Sequence, residues 1–168
     1  MLRKLTFIAG LILLFSISAR AQDQVQVFGG YSYMHVGDDP SLNMNGWEIA
    51  GQYKFSSWLG GVEDVDGHYG TSQGFDRTTH AFLFGPQVSF PARISPFAHL
   101  LIGGAHTNWG GDTSTSFAMA LGAGIDSRIF ASVPGIDWRI IQFDYIPTYF
   151  FGHTQNNVRV STGIVLRF

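Results

Sequence analysis

The amino-acid sequence predicts an all-β protein, an eight-stranded antiparallel up-and-down transmembrane β-barrel. Three observations carry this. Apolar and polar residues alternate with period two through segment after segment, the mark of strands with one greasy and one polar face. Charged residues make up only 13% of the chain, about half the usual share, while Phe (15) and Gly (21) are abundant. After residue 21 no apolar run approaches the length of a membrane-spanning helix. Low charge with many aromatics is a solubility hazard in water. A chain that enters lipid without helices must do so as a closed barrel, because nothing else satisfies the backbone there.

The first predicted strand is Val25 to His35 (VQVFGGYSYMH). The second, Gly46 to Phe55, sets Trp47, Ile49, Gly51, Tyr53 and Phe55 against Glu48, Ala50, Gln52 and Lys54. The third is Trp58 to Tyr69 (WLGGVEDVDGHY). The fourth, Thr79 to Phe90, carries Phe82, Phe84, Pro86, Val88 and Phe90 on one face. The fifth is Pro96 to Thr107, with Phe97 and His99 assigned inward and Ala98, Leu100 and Ile102 outward. In the sixth, Ser116 to Ile129, Phe117, Met119, Leu121, Ala123 and Ile125 oppose Ala118, Ala120, Gly122, Gly124 and Asp126. The seventh is Ile136 to Phe150, and the eighth Asn157 to Phe168, greasy on one face to its last residue. Lengths of about ten residues suit tilted transmembrane strands.

The connections alternate in character. GDDPSLNMN, GTSQGFDRT, NWGGDTST and GHTQN read as polar exterior loops, while SS and PARIS are short and FASVPG is of middle length. Two residues are misfits. Pro86 removes a ladder donor inside a strand, for which a local bulge is the expected remedy. Glu63 points to lipid if Asp64, Asp66 and His68 point inward, unless the strand is bulged or Glu63 lies near the rim.

Ahead of the strands, Arg3 and Lys4, an apolar run from Leu5 to Ser18, and Ala19-Arg20-Ala21 have the order of a cleaved secretory signal. The expected division is a signal over residues 1–21 and a barrel domain over 22–168. Cleavage removes three of ten basic residues and none of twelve acidic ones, leaving a net charge of −5. With no basic stripe, nucleic acid is not an expected partner. Without cysteine, stability comes from packing rather than disulfides.

The segments WLGGVEDVDGHYG, FLFGPQVSF, SPFAHLLIGGA, AMALGAGIDSR, QFDYIPTYF and NNVRVSTGIVLRF, with the signal and the terminal Phe, resemble the small OmpA/OmpX-type outer-membrane barrels, over the whole mature chain. The peptidoglycan-binding domain of larger relatives has no counterpart here. The resemblance implies export to an outer membrane and contact with its lipids, lipopolysaccharide included. It also implies a final strand read by the barrel-assembly machinery through Phe168, Leu166 and Ile164, with Thr162 a weaker match. A monomer is expected, and the loops name no partner.

An eight-stranded barrel is only wide enough inside for side chains. The inward candidates are Glu48, Gln52, Lys54, Asp64, Asp66, Gln87, His99, Asp126, Arg128, Gln142, Asp144, Arg159 and Arg167. They carry both signs, and buried charges must be paired, so the expectation is a polar network that closes the lumen. Aromatic girdles are expected from Tyr31, Tyr33, Trp47 and Tyr69 near the loop ends and from Phe55, Trp58, Phe90, Trp138 and Phe168 near the turn ends. Five of the six histidines (His35, His68, His80, His106, His153) fall near loop ends, with only His99 deep. A metal-binding ring of imidazoles is weighed below tolerated interfacial residues. Lipid-A-modifying barrels use a His and Ser, and no H-x-S occurs here. A structural or surface-interaction role therefore leads, without catalytic residue, metal or cofactor. A narrow pore for small solutes and, below it, an envelope-lipid enzyme remain the alternatives.

Overall fold

In a computed structural model, which describes residues 24–37, 41–128 and 134–168, the chain forms eight strands. They are β1 (Val25–Gly37), β2 (Leu42–Lys54), β3 (Leu59–Ser72), β4 (Phe75–Ser89), β5 (Ile94–Trp109), β6 (Asp112–Ser127), β7 (Ile136–Phe150) and β8 (His153–Arg167). Each pairs antiparallel with its neighbours in sequence, and β1 pairs with β8, so the sheet closes into a barrel. Closure gives every strand a partner on both sides. The predicted signal lies outside the described residues, as do Asp38, Asp39 and Pro40 of the first loop.

The hairpin ends differ from expectation. The stretches read as exterior loops are mostly strand, and the chain reverses in two residues at Gln73-Gly74, Gly110-Gly111 and Phe151-Gly152. All six have positive φ, from 51° at Phe151 to 101° at Gly111. Paired positive φ makes type I′ turns, whose twist matches that of the flanking strands. Past the apolar belt the outer face is polar and the inner face is lined by buried polar residues such as Arg77, Thr107 and Gln155, so the alternation of apolar with polar disappears and a polar strand looks like a loop. At the opposite end four residues join the strands at 55–58 and at 90–93, as many as separate β1 from β2.

The bulge expected at Pro86 is also elsewhere. Pairing of β4 with β5 lapses at Gly85 and Pro86 and resumes at Gln87↔His99 in the same register. Losing one rung suffices, and Gly85 lets the Leu100 carbonyl approach where a Cβ would clash. The register shift falls instead in β7, between Arg139 and Gln142, where one extra residue is accommodated against β6 and β8. Asp137 and Arg139 therefore face the lumen on one parity, and Gln142, Asp144 and Ile146 on the other.

The outer face presents Ile49, Phe82, Phe84, Leu100, Leu121, Phe143 and Ile164, all exposed. Tyr31, Trp47 and Tyr69 bound this belt near the hairpin end, with Tyr33 half-buried beside them. Phe55, Trp58, Phe90, Trp138 and Phe168 bound it at the other end. Leu166, like Ile164, points outward, and the Phe168 N–H donates to the Val25 carbonyl at 2.9 Å, so the last residue still belongs to the closing seam. Along β3, Glu63 lies midway between Trp58 and Tyr69 and is exposed on this greasy face, neither bulged nor at the rim. A charge at that depth of a bilayer costs on the order of 2 kcal/mol.

The seam has its own steric requirement. Gly30 and Gly163 are register partners of β1 and β8. A Cβ on Gly163 would run into the Gly29 carbonyl and the Gly30 Cα. Gly163→Val should destabilise the barrel by about 3 kcal/mol or more, since backbone cannot yield as a side chain can. Urea unfolding in detergent, read by loss of the compact form on an unheated gel, measures this.

Candidate functional site

The chemistry of this chain is concentrated in the lumen. Alternation turns Glu48 of β2, Asp64, Asp66 and His68 of β3, His99 of β5, Asp126 of β6, Asp144 of β7 and Arg159 of β8 inward, all buried. Arg159 is the hub. Its Nη1 and Nη2 donate to the two oxygens of Asp64 at 2.9 and 3.2 Å, Nη1 also to Asp66 Oδ2 at 2.5 Å, and Nε to Asp144 Oδ2 at 2.9 Å. Glu48 Oε2 stands 3.6 Å from Nε. Four carboxylates thus surround one guanidinium, a group whose planar fork suits several carboxylates at once.

Neutral donors share the remaining charge. Gln142 Nε2 donates to Glu48 Oε1 at 2.9 Å and to Asp144 Oδ2 at 2.7 Å, and the Ser161 hydroxyl donates to Glu48 Oε2 at 2.5 Å. His99 Nε2 lies 2.6 Å from Asp144 Oδ1. A second layer hangs on Arg139, which donates to both oxygens of Asp126 (2.9 and 3.3 Å) and to Gln142 Oε1 (2.6 Å). Its guanidinium is 4.3 Å from the ring centroids of both Phe28 and Phe97, a double cation–π contact. Asp137 and Arg167 pair nearer the rim.

Not every expected member joins this network. Arg128 lies past the end of β6 and is exposed; it holds its connection through its backbone N–H on the Arg93 carbonyl, so its inward assignment is corrected. Lys54 and Arg167 gather at the lower rim around Gln26, whose amide oxygen, in the orientation that satisfies its neighbours, accepts from Lys54 Nζ at 3.0 Å and Arg167 Nη1 at 3.2 Å. Arg139 was not among the expected inward residues; simple alternation from Gln142 and Asp144 puts it outside, and the β7 bulge brings it in. Arg77 sits in a stretch read as loop, yet is buried and donates to Gln155 Oε1 at 2.8 Å and Thr107 Oγ1 at 3.3 Å.

The lumen is also not polar throughout. Met34, Met44, Leu83, Leu101, Ile146 and Phe150 belong to one buried apolar cluster that runs beside the network, reaching Phe28 and Val165 toward the other end. These residues alternate with the lipid-facing ones, and a segment apolar on both faces does not show which side is in.

The histidines form no ring. His68, toward the hairpin end of β3, is turned into the lumen and fully buried, so it is not among the interfacial histidines. His80 leans against Tyr69, edge to face at 5.7 Å, and His106 Nδ1 bonds Thr115 at 2.8 Å. His68 Nε2 is 2.9 Å from Ser32 Oγ, and its Nδ1 is 3.3 Å from Asp66 Oδ1. Ser–His–Asp is the order of a nucleophile relay, but Ser32, His68 and Asp66 are each 0% exposed. No sequence spacing could show this row, since its members come from two strands.

Replacing Arg159 by Met should cost about 3–5 kcal/mol, the penalty for leaving buried charge uncompensated. Arg159→Met combined with Asp64→Asn should lose less than the sum of the two single changes, because the groups share one network. Urea midpoints of the folded barrel in liposomes read both.

No family model matches the chain, and no curated protein matches it. Among solved structures, Neisserial surface protein A superposes with a TM-score of 0.65 at 15% identity, over 89% of this chain and 100% of its own. Ail, the attachment invasion locus protein of Yersinia pestis, crystallised with the heparin analogue sucrose octasulfate, gives 0.59 at 16%, over 84% and 97%. The outer membrane protein OprG of Pseudomonas aeruginosa gives 0.55 at 12%, over 86% and 95%. At these identities the likeness is one of architecture, and the architecture of this chain is that of the small eight-stranded outer-membrane barrels of the OmpA/OmpX type.

Proposed function

We propose that this chain is an integral outer-membrane barrel whose lumen is closed and whose role is structural and exercised at its surface. The carrying observation is the interior. The Arg159 network reaches across strands β2, β3, β7 and β8, and a buried apolar cluster runs beside it. A solute path would have to break charge-assisted hydrogen bonds in a dry environment. The Ser32–His68–Asp66 row is read as part of this packing, since a substrate would have to enter the same space.

The outer face supports the membrane placement: an apolar belt between two aromatic rings, with tyrosine and tryptophan at the edges. At the hairpin end, no Lys or Arg is exposed among the described residues, while Asp76 and Asp112 are. A surface of that sign does not suit a sulfated polyanion of the kind bound to Ail in its crystal. The partner class that fits is neutral or cationic.

Purified protein in planar bilayers should show no steady conductance; small, stable currents would support the narrow pore instead. Deleting Phe168, the outward end of the seam, should reduce the amount of barrel assembled in the outer membrane more than it lowers the urea midpoint of barrel already assembled. Quantitative blotting of membrane fractions beside unfolding curves compares the two.

A further inference from the structure

Glu63 is the misfit that the closed-barrel role leaves unused. Among the described residues, it is the one Asp, Glu, Lys or Arg on the outer face of the strands between the aromatic rings. The lumen network does not touch it, because alternation turns Asp64 and Asp66 in and Glu63 out. Its surroundings are equally unusual. Its register partner on β2 is Gly51, and Gly61 is the preceding outward residue on β3. A Cβ built on Gly51, or on Gly29 of β1, would meet nothing within 4 Å. A polar bump therefore stands directly beside an open hollow, at one depth in the belt.

We propose that this face is an interface between two copies of the chain within the membrane. A two-fold axis along the bilayer normal keeps both copies of Glu63 at the same depth. It sets each bump into the other copy's Gly51 hollow, the self-complementarity that an isologous contact requires. The two carboxyl groups then lie side by side against polar atoms of the other copy instead of facing hydrocarbon. The outer face of a second copy offers at this depth what lipid tails do not, a polar partner, and the glycines allow the close backbone approach that drives association in membranes. A pair of copies departs from the monomer expected from the sequence.

The inference rests on the membrane reading, and the test separates the two. The chain has no cysteine, so single cysteines report cleanly. Val65→Cys places a thiol at the next outward position above Glu63 on β3. Phe143→Cys places one on β7, across the barrel from β3, on the same greasy face. Upon oxidation of native membranes, Val65→Cys should form disulfide-linked dimer roughly tenfold faster than Phe143→Cys, from the raised effective concentration at a docked face. Adding Gly51→Leu, which fills the hollow, or Glu63→Leu, which removes the carboxyl, should bring Val65→Cys down to the Phe143→Cys rate, with compact migration on an unheated gel showing the barrel intact. Equal rates at the two positions, or a Val65→Cys rate untouched by Gly51→Leu, would overturn the interface. A lipid-phase maleimide distinguishes the failures. If both thiols label yet cross-link alike, the interface alone is wrong; if neither labels, the membrane reading falls and takes the interface with it.

Discussion

The structure depends on one constraint: every backbone N–H and C=O in the strands must find a partner within the protein. Lipid supplies none, and each orphan would cost several kcal/mol. The seam between β1 and β8 answers the constraint, with Val25 and Phe168 exchanging bonds at its lower end. Once the sheet closes, the period of two divides the side chains into an outer set and an inner set. Which residue meets lipid and which meets lumen then follows from parity alone, until something breaks parity.

The inner set has to solve a second problem. Eight strands enclose too little space for water to solvate many charges, yet the chain places Glu48, Asp64, Asp66 and Asp144 there. Arg159 compensates them by meeting several at once, and Gln142, Ser161 and His99 make further hydrogen bonds to them. Arg139 does the same for Asp126 while burying its flat faces between Phe28 and Phe97. A buried ion network of this kind is weak evidence for stability but a good device for register, because a slip of one residue would send every one of these charges into lipid.

Much of this was legible in the residues. Clean alternation in β2, β6 and β8 put Glu48, Asp126 and Arg159 inside, and the odd placement of Glu63 followed from the same rule. What was hidden has identifiable causes. Arg139 was concealed by one extra residue at Ile140-Ile141, a feature of pairing that no single strand displays. Arg77 was concealed because polar strand ends and loops have the same composition. The row from Ser32 to His68 and the convergence on Arg159 are contacts between residues far apart in the chain, 95 positions for Asp64 and more for Glu48, and no local pattern encodes them. Met34 and Leu101 look the same in sequence whether they face lipid or lumen.

The two-residue turns also decide what the barrel shows to its surroundings. At three hairpins no slack chain extends into solvent, so a neighbour cannot mould a flexible loop around itself. It meets instead side chains such as Phe75, Asp112 and Phe151, carried on strand ends whose spacing the hydrogen-bond ladder sets. Recognition at these three hairpins has to be a rigid fit, fast to form and intolerant of shape change. The same ends give an added protease or an antibody very little to hold.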